Sequence, residues 1–155
     1  MQRPSLSNTA VVIPCFKAAD TIATVIGDIP PEIRRIYCVN DASPDNLAEV
    51  LTRCAKEDPR VHVMTHEVNG GVGAATVTGY KAAISGGAKI IVKIDSDGQM
   101  DPRLIPALVE PIIQGAADYV KGNRFFDIAS VQQMPVLRLI GNAGLSFMSK
   151  LSSGL

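Results

Sequence analysis

The sequence predicts an α/β fold, a mostly parallel sheet with helices on both faces, and three observations carry that expectation. Short β-branched runs alternate with longer helix-like segments from residue 9 to residue 123. The first four runs are almost continuously apolar, as in parallel strands covered on both faces. Polar and glycine-rich residues recur just after the runs, where open α/β sheets hold their ligands.

The first strand is read over 9–15, "TAVVIPC", and a helix follows over 20–29. "RIYCVND" (35–41) is the second strand. Ser43 and Pro44 then predict a cap and first-turn pair for a helix over 44–57. The third strand is "VHVMTH" (61–66), and "NGGVG" (69–73) leads into a helix over 72–86. "KIIVKID" (89–95) is the fourth strand, and Asp101-Pro102 serves a helix over 102–115 as its cap and first turn. "DYVKGN" (118–123) reads as a fifth strand. Strands and helices in this order imply right-handed crossovers. No internal repeat, linker or low-complexity segment interrupts them.

A length of 155 residues is one domain or most of one, long enough to bury a real core. Lys plus Arg and Asp plus Glu number 15 each, which removes the electrostatic case for a nucleic-acid partner. Cys15, Cys38 and Cys54 have no metal-ligand spacing, so buried thiols in a reducing compartment are expected. "MQRPSLSNTA" has no apolar signal region, and no run approaches the roughly 18 apolar residues of a membrane span. The expectation is a soluble, cytoplasmic protein.

The strand ends gather candidate site residues into one crevice: Pro14 to Phe16, Asn40-Asp41, His66 to Gly73, Asp95 to Gln99, and Gly122 to Arg124. Within "KIDSDGQMDP" (93–102), Asp95 and Asp97 point the same way if the strand continues. Two like charges side by side need a cation, a shared proton or full solvation. Asp41 has two readings that spacing leaves open, acceptor from a ribose or base and helix cap. "NGGVG" is neither GxGxxG in the first turn nor a P-loop, so a tight turn and ligand contact both remain open. His62 and His66, four apart on a strand, do not converge on a metal. His62 reads as structural or exposed, and His66 as lying near the crevice. "DSDG" resembles the haloacid-dehalogenase signature, but it closes the fourth strand and lacks the Thr of that motif. A phospho-receiver domain wants paired acids after its first strand, where this chain has Pro14-Cys15.

Five blocks in order carry a more specific resemblance: "VVIPCFKAADTI", "IYCVNDASPDN", "HEVNGGVGAATVTGY", "IIVKIDSDGQMDP" and "DYVKGNRFF". They resemble glycosyltransferase family 2, and within it the polyprenyl- or dolichyl-phosphate sugar synthases, whose acidic motif is Asp-x-Asp-x-Gln. The resemblance implies a GT-A fold, a Rossmann-like nucleotide-binding sheet joined to an acceptor-binding half. It divides the chain into an N-terminal extension (1–8), a nucleotide-sugar-binding core (9–127) and the start of an acceptor-side, membrane-interface segment (128–155). By the same resemblance Pro14, Phe16 and Asp41 line the nucleoside pocket, and Asp95 stands near the ribose and metal. Asp97 and Gln99, with Asp95 beside them, hold Mg²⁺ or Mn²⁺ together with the diphosphate. Arg124 lies near a phosphate, making Asp97 and Arg124 the expected catalytic pair. The implied donor is a UDP- or GDP-sugar. The implied acceptor is a polyprenyl phosphate or another lipid or saccharide, met at the cytoplasmic face of a membrane.

Some positions depart from the family pattern. Lys17 stands where Asn is common, and Asn40 replaces the first acid of an Asp-Asp pair. The family's Asp-Pro-Thr-Asn/Ser-Gly block does not occur before Leu155, so the chain reads as truncated. A sugar-nucleotide nucleotidyltransferase is the alternative enzyme, but "PCFKAAD" offers one Lys and no glycine where that class wants a Gly-rich basic signature. A non-catalytic nucleotide-binding fragment is the third reading. Over residues 136–151, Leu137, Ile140, Gly144, Phe147, Met148 and Leu151 form one apolar helical face, with Arg138 opposite. Periodicity alone suits a helix packed on the sheet; the resemblance implies one that meets the bilayer.

Overall fold

The computed structural model describes residues 5–122. Its strands are β1 (Thr9–Cys15), β2 (Arg35–Asn40), β3 (Val61–Thr65) and β4 (Ile90–Lys93). Helices α1 (Ile22–Gly27), α2 (Leu47–Glu57), α3 (Gly71–Ser85) and α4 (Ile105–Ile113) follow them in turn, with short 3₁₀ turns at Leu6–Asn8 and Pro102–Leu104. The sheet runs β3-β2-β1-β4 and every pairing is parallel. The expected mostly parallel α/β sheet is therefore present, and its order reverses between β1 and β4.

Alternation along β1 explains why helices cover both faces. Val11, Ile13 and Cys15 belong to the larger core with Ile22, Val25 and Ile26 of α1, Leu47 and Leu51 of α2, and Val109 of α4. Ala10 and Val12 point the other way, into a smaller core with Tyr37 and with Ala83 of α3. All seven residues of β1 are buried, which accounts for the unbroken apolar run. Helix α3 packs closely on the sheet at Gly79, where a methyl group would stand 2.3 Å from Val12 Cγ1.

Three expectations are corrected. Helix α2 begins at Leu47, with Asn46 at its cap position, and not at Pro44. The Ser43 hydroxyl is engaged elsewhere: it donates to Asp45 Oδ1 and accepts the Lys17 amide. Strand β4 ends at Lys93, so Asp95 and Asp97 lie beyond it and alternation does not aim them. No fifth strand forms over residues 118–122. That run has only Tyr119 and Val120 as an apolar centre, no strand among the described residues pairs with it, and Tyr119 is 78% exposed. The Asp101-Pro102 expectation holds in part: the Asp101 side chain accepts the Arg103 amide and caps the Pro102–Leu104 turn, while α4 itself begins at Ile105 with Leu104 at its cap position.

Candidate functional site

The loops leaving the carboxyl ends of β1 and β2 both contain a strained residue. Lys17 (φ 51°) and Ala42 (φ 50°) occupy the left-handed region, at a cost of order 1 kcal/mol each for a non-glycine residue. Hydrogen bonds between and within the loops hold them there. The Lys17 amide donates to Ser43 Oγ at 2.7 Å and the Ala19 amide to Asp45 Oδ2 at 3.2 Å, while Asn40 Oδ1 accepts the Ser43 amide at 3.0 Å. The Ser43 hydroxyl bond and the Ala19 amide keep the Asp45 carboxyl below the usual carboxylate range, against the opposing effect of burial.

A cavity of about 580 Å³ opens between these loops at the carboxyl edge of the sheet. Pro14 and Phe16 reach it from β1, Asp41 and Ala42 from β2, Asn69, Gly71 and Val72 from the approach to α3, and Asp95 and Asp97 from the segment after β4. Ligands of such sheets bind in this crevice, where the strand order reverses. Five residues singled out in the sequence (Pro14, Phe16, Asp41, Asp95 and Asp97) thus share one wall-to-wall space.

Asp41 is the most constrained of the five. Its side chain is 3% exposed and accepts three hydrogen bonds: His66 Nδ1 at 2.7 Å and the Gly70 amide at 2.9 Å on Oδ1, and the Gly71 amide at 2.7 Å on Oδ2. Its backbone carbonyl accepts Asn69 Nδ2 at 2.9 Å. Burial opposes the charge, but the Gly70 amide, His66 and the Gly71 amide outweigh it and hold the carboxyl below its ordinary range. Asp41 therefore caps a helix, though it caps α3, thirty positions downstream, and not α2. The "NGGVG" turn is correspondingly tight, with Gly71 at φ 82°, and two of its amides are already satisfied by an internal carboxylate.

The acidic run is shaped by a turn. Gly98 sits at φ 74°, and Asp97 Oδ1 accepts the Gln99 amide at 3.0 Å. Thr21 Oγ1 donates to the Ser96 carbonyl at 2.6 Å and ties this turn to the start of α1. The like-charge problem is relieved at Asp95, whose Oδ1 pairs with Lys93 Nζ. Gln99 lines a second cavity of about 420 Å³ that Asp97 shares, together with Asp20, Asp28 and Asp101. Among the described residues no group of three or more His, Cys, Asp or Glu side chains is arranged to hold a metal ion. Arg124 lies outside the described residues, as does the 136–151 segment.

His62 lies away from the crevice, whereas Cys15 lines it as a buried thiol. His62 is exposed and stacks on Tyr37 with ring centroids 5.2 Å apart. Cys15, Cys38 and Cys54 are free and buried, and the Cys15 thiol together with burial pushes the Cys38 thiol up. Two partners escaped the sequence reading. Lys93 was detectable from sequence distance alone, as a cation two positions before Asp95. The link between His66 and Asp41 joins different strands and left no local signal.

The family profile described as "Glycosyl transferase family 2" matches residues 10–151 of the chain. The chain is 32% identical to a UDP-N-acetylglucosamine–dolichyl-phosphate N-acetylglucosaminyltransferase of Methanococcus voltae, over 93% of the chain and 62% of that protein. It is 30% identical to a polyprenol monophosphomannose synthase of Mycolicibacterium smegmatis, over 89% of the chain and 52% of that protein. The chain thus spans between half and two thirds of the length of these relatives. In fold it is similar to a crystal structure of S. aureus TarS 1-349 in complex with UDP, with a TM-score of 0.58 at 17% identity, over 77% of the chain and 39% of the other.

Proposed function

The chain belongs to glycosyltransferase family 2, and from that premise we propose that it is the donor-binding part of a metal-dependent, inverting sugar transferase. The donor is a UDP- or GDP-sugar and the acceptor a polyprenyl phosphate, in line with the dolichyl phosphate in the name of the M. voltae relative. On this reading residues 9–127 form the nucleotide-sugar core and 128–155 begin the acceptor side, at the cytoplasmic face of a membrane. No helix of the described residues is long and apolar enough to cross one. The observation that supports the reading best is the single cavity onto which Pro14, Phe16, Asp41, Asp95 and Asp97 all open.

The polarity of that cavity orients the donor. Its Asp41 end has Phe16 and Pro14 for apolar contact and a helix terminus already occupied by an internal anion, so it suits a nucleoside better than a phosphate. The other end carries Asp95 and Asp97, with Gln99 close behind. Bare carboxylates repel a diphosphate, and a divalent cation between them removes that repulsion. Mg²⁺ takes one or two carboxylates and completes its shell with water and substrate phosphates, so the absence of a three-carboxylate cage among the described residues is compatible with this donor set. Asp97 and Gln99 would hold the ion, with Asp95 beside them. When bound, it would offset the negative charge that develops on the leaving diphosphate. Lys93 pairs with Asp95 and holds it in place, and the Asp97–Gly98 turn keeps Asp97 facing the cavity. A phosphate acceptor is already ionised at neutral pH and can attack the anomeric carbon without a dedicated base. Arg124 would neutralise a donor or acceptor phosphate.

Calorimetric titration with UDP and GDP, with and without Mg²⁺ or Mn²⁺, tests the assignment. Asp97→Asn keeps the shape of the side chain and removes its charge. It should weaken nucleotide affinity at least about tenfold, or about 1.4 kcal/mol. Equal affinity for wild type and variant, or indifference to EDTA, would overturn the metal assignment.

A further inference from the structure

We propose that His66 is a positioning residue of the donor pocket, bridging Asp41 and Thr78 so that the 66–72 turn holds the pocket wall in place. The inference rests on the donor-site reading above. The imidazole is fixed at both nitrogens: Nδ1 lies 2.7 Å from Asp41 Oδ1 and Nε2 2.9 Å from Thr78 Oγ1. Asp41 in turn carries the turn itself, through the amides of Gly70 and Gly71 and the Asn69 side chain. Asn69, Gly71 and Val72 form one side of the cavity. Thr78 precedes Gly79, which packs closely against Val12 of β1. The bridge therefore connects a loop that lines the pocket to a close helix–sheet contact, Gly79 against Val12.

The physical need for it is local. A carboxylate this buried must remain ionised to hold two helix-terminal amides, and a bond from an imidazole N–H favours the ionised form. The second bond, at Nε2, fixes the ring orientation and with it which nitrogen faces Asp41. Without the Thr78 hydroxyl the ring is held at Nδ1 alone, and Asp41 and the 69–72 wall lose part of their support with little change in packed volume.

Thr78→Val removes the hydroxyl and keeps the shape, whereas Thr78→Ser keeps the hydroxyl and loses a methyl. Calorimetry with UDP and Mg²⁺ should show Thr78→Val binding about three- to tenfold more weakly, the worth of one hydrogen bond, and Thr78→Ser within about twofold of wild type. Nitrogen-15 spectra of the imidazole should show a slowly exchanging His66 Nδ1–H in wild type and in Thr78→Ser, broadened in Thr78→Val. Unchanged UDP affinity in Thr78→Val would overturn the role, as would a loss that Thr78→Ser fails to restore. Wild-type protein that binds no nucleotide under any metal condition would overturn the donor-site reading and this role with it. A protected Nδ1–H in that protein would leave the bridge as structural support alone.

Discussion

At the scale of single residues, Asp41 shows how a chain can bury a charge and gain from it. Two amides and an imidazole replace the water it loses, and the three bonds together exceed the burial cost. Asp41→Asn keeps the size but turns one acceptor oxygen into a donor that faces an amide or the imidazole. Urea unfolding should show a loss of about 1–3 kcal/mol, the cost of leaving buried donors unmatched. A loss below about 0.5 kcal/mol would mean the turn holds itself. Lys93 is the second residue whose importance is local. By pairing with Asp95 it leaves the acidic run with less repulsion than the two acids alone suggest.

At the scale of elements, α3 makes two opposite predictions from one residue type. Gly79 meets Val12 so closely that an added methyl has no room, and Val12 sits within β1 and cannot retreat. Gly79→Ala should destabilise by about 1–3 kcal/mol despite the better helix propensity of alanine. Gly73 is an exposed position of the same helix with nothing within 4 Å of the added methyl. There, Gly73→Ala should stabilise by about 0.5–1 kcal/mol. Thermal or urea unfolding of the pair settles both signs, and a stable Gly79→Ala would show that α3 can shift off the sheet. Helix α2 makes the complementary point about local signals. Ser43 and Pro44 have the chemistry of a helix start, yet the Ser43 hydroxyl is drawn into a contact with the β1 loop, and the helix waits until Leu47.

At the scale of the whole molecule, three carboxylates tie stability to pH. Asp41 is held down by amides and His66 against burial, Asp45 by the Ser43 hydroxyl bond, and Asp58 by the Arg60 side chain. Each releases its proton more readily folded than unfolded, so acidification loads protons onto the unfolded chain first. Stability should be full above about pH 4 and fall as the pH drops through the lower folded values. Urea midpoints measured from pH 7 to pH 3 test this, and a flat profile would contradict it. A further prediction concerns residues outside the described structure: the 136–151 segment should give weak binding to anionic vesicles that falls with salt and with Arg138→Glu. Vesicle flotation without lipid association at low salt would return that face to the protein interior. The sequence by itself determined the order of strands and helices, the two-sided burial of β1 and β2, and the gathering of acids at one sheet edge. These follow from apolar periodicity and from strand ends, which are local properties of the chain. Only the tertiary structure decided which groups Asp41 and Asp95 meet. The fifth strand did not form among the described residues because a strand exists only with a neighbour to pair with. Asp41 became a cap for α3 because folding brings the Gly70 and Gly71 amides and His66 to a carboxylate 25 or more positions away, and no local pattern records such a meeting.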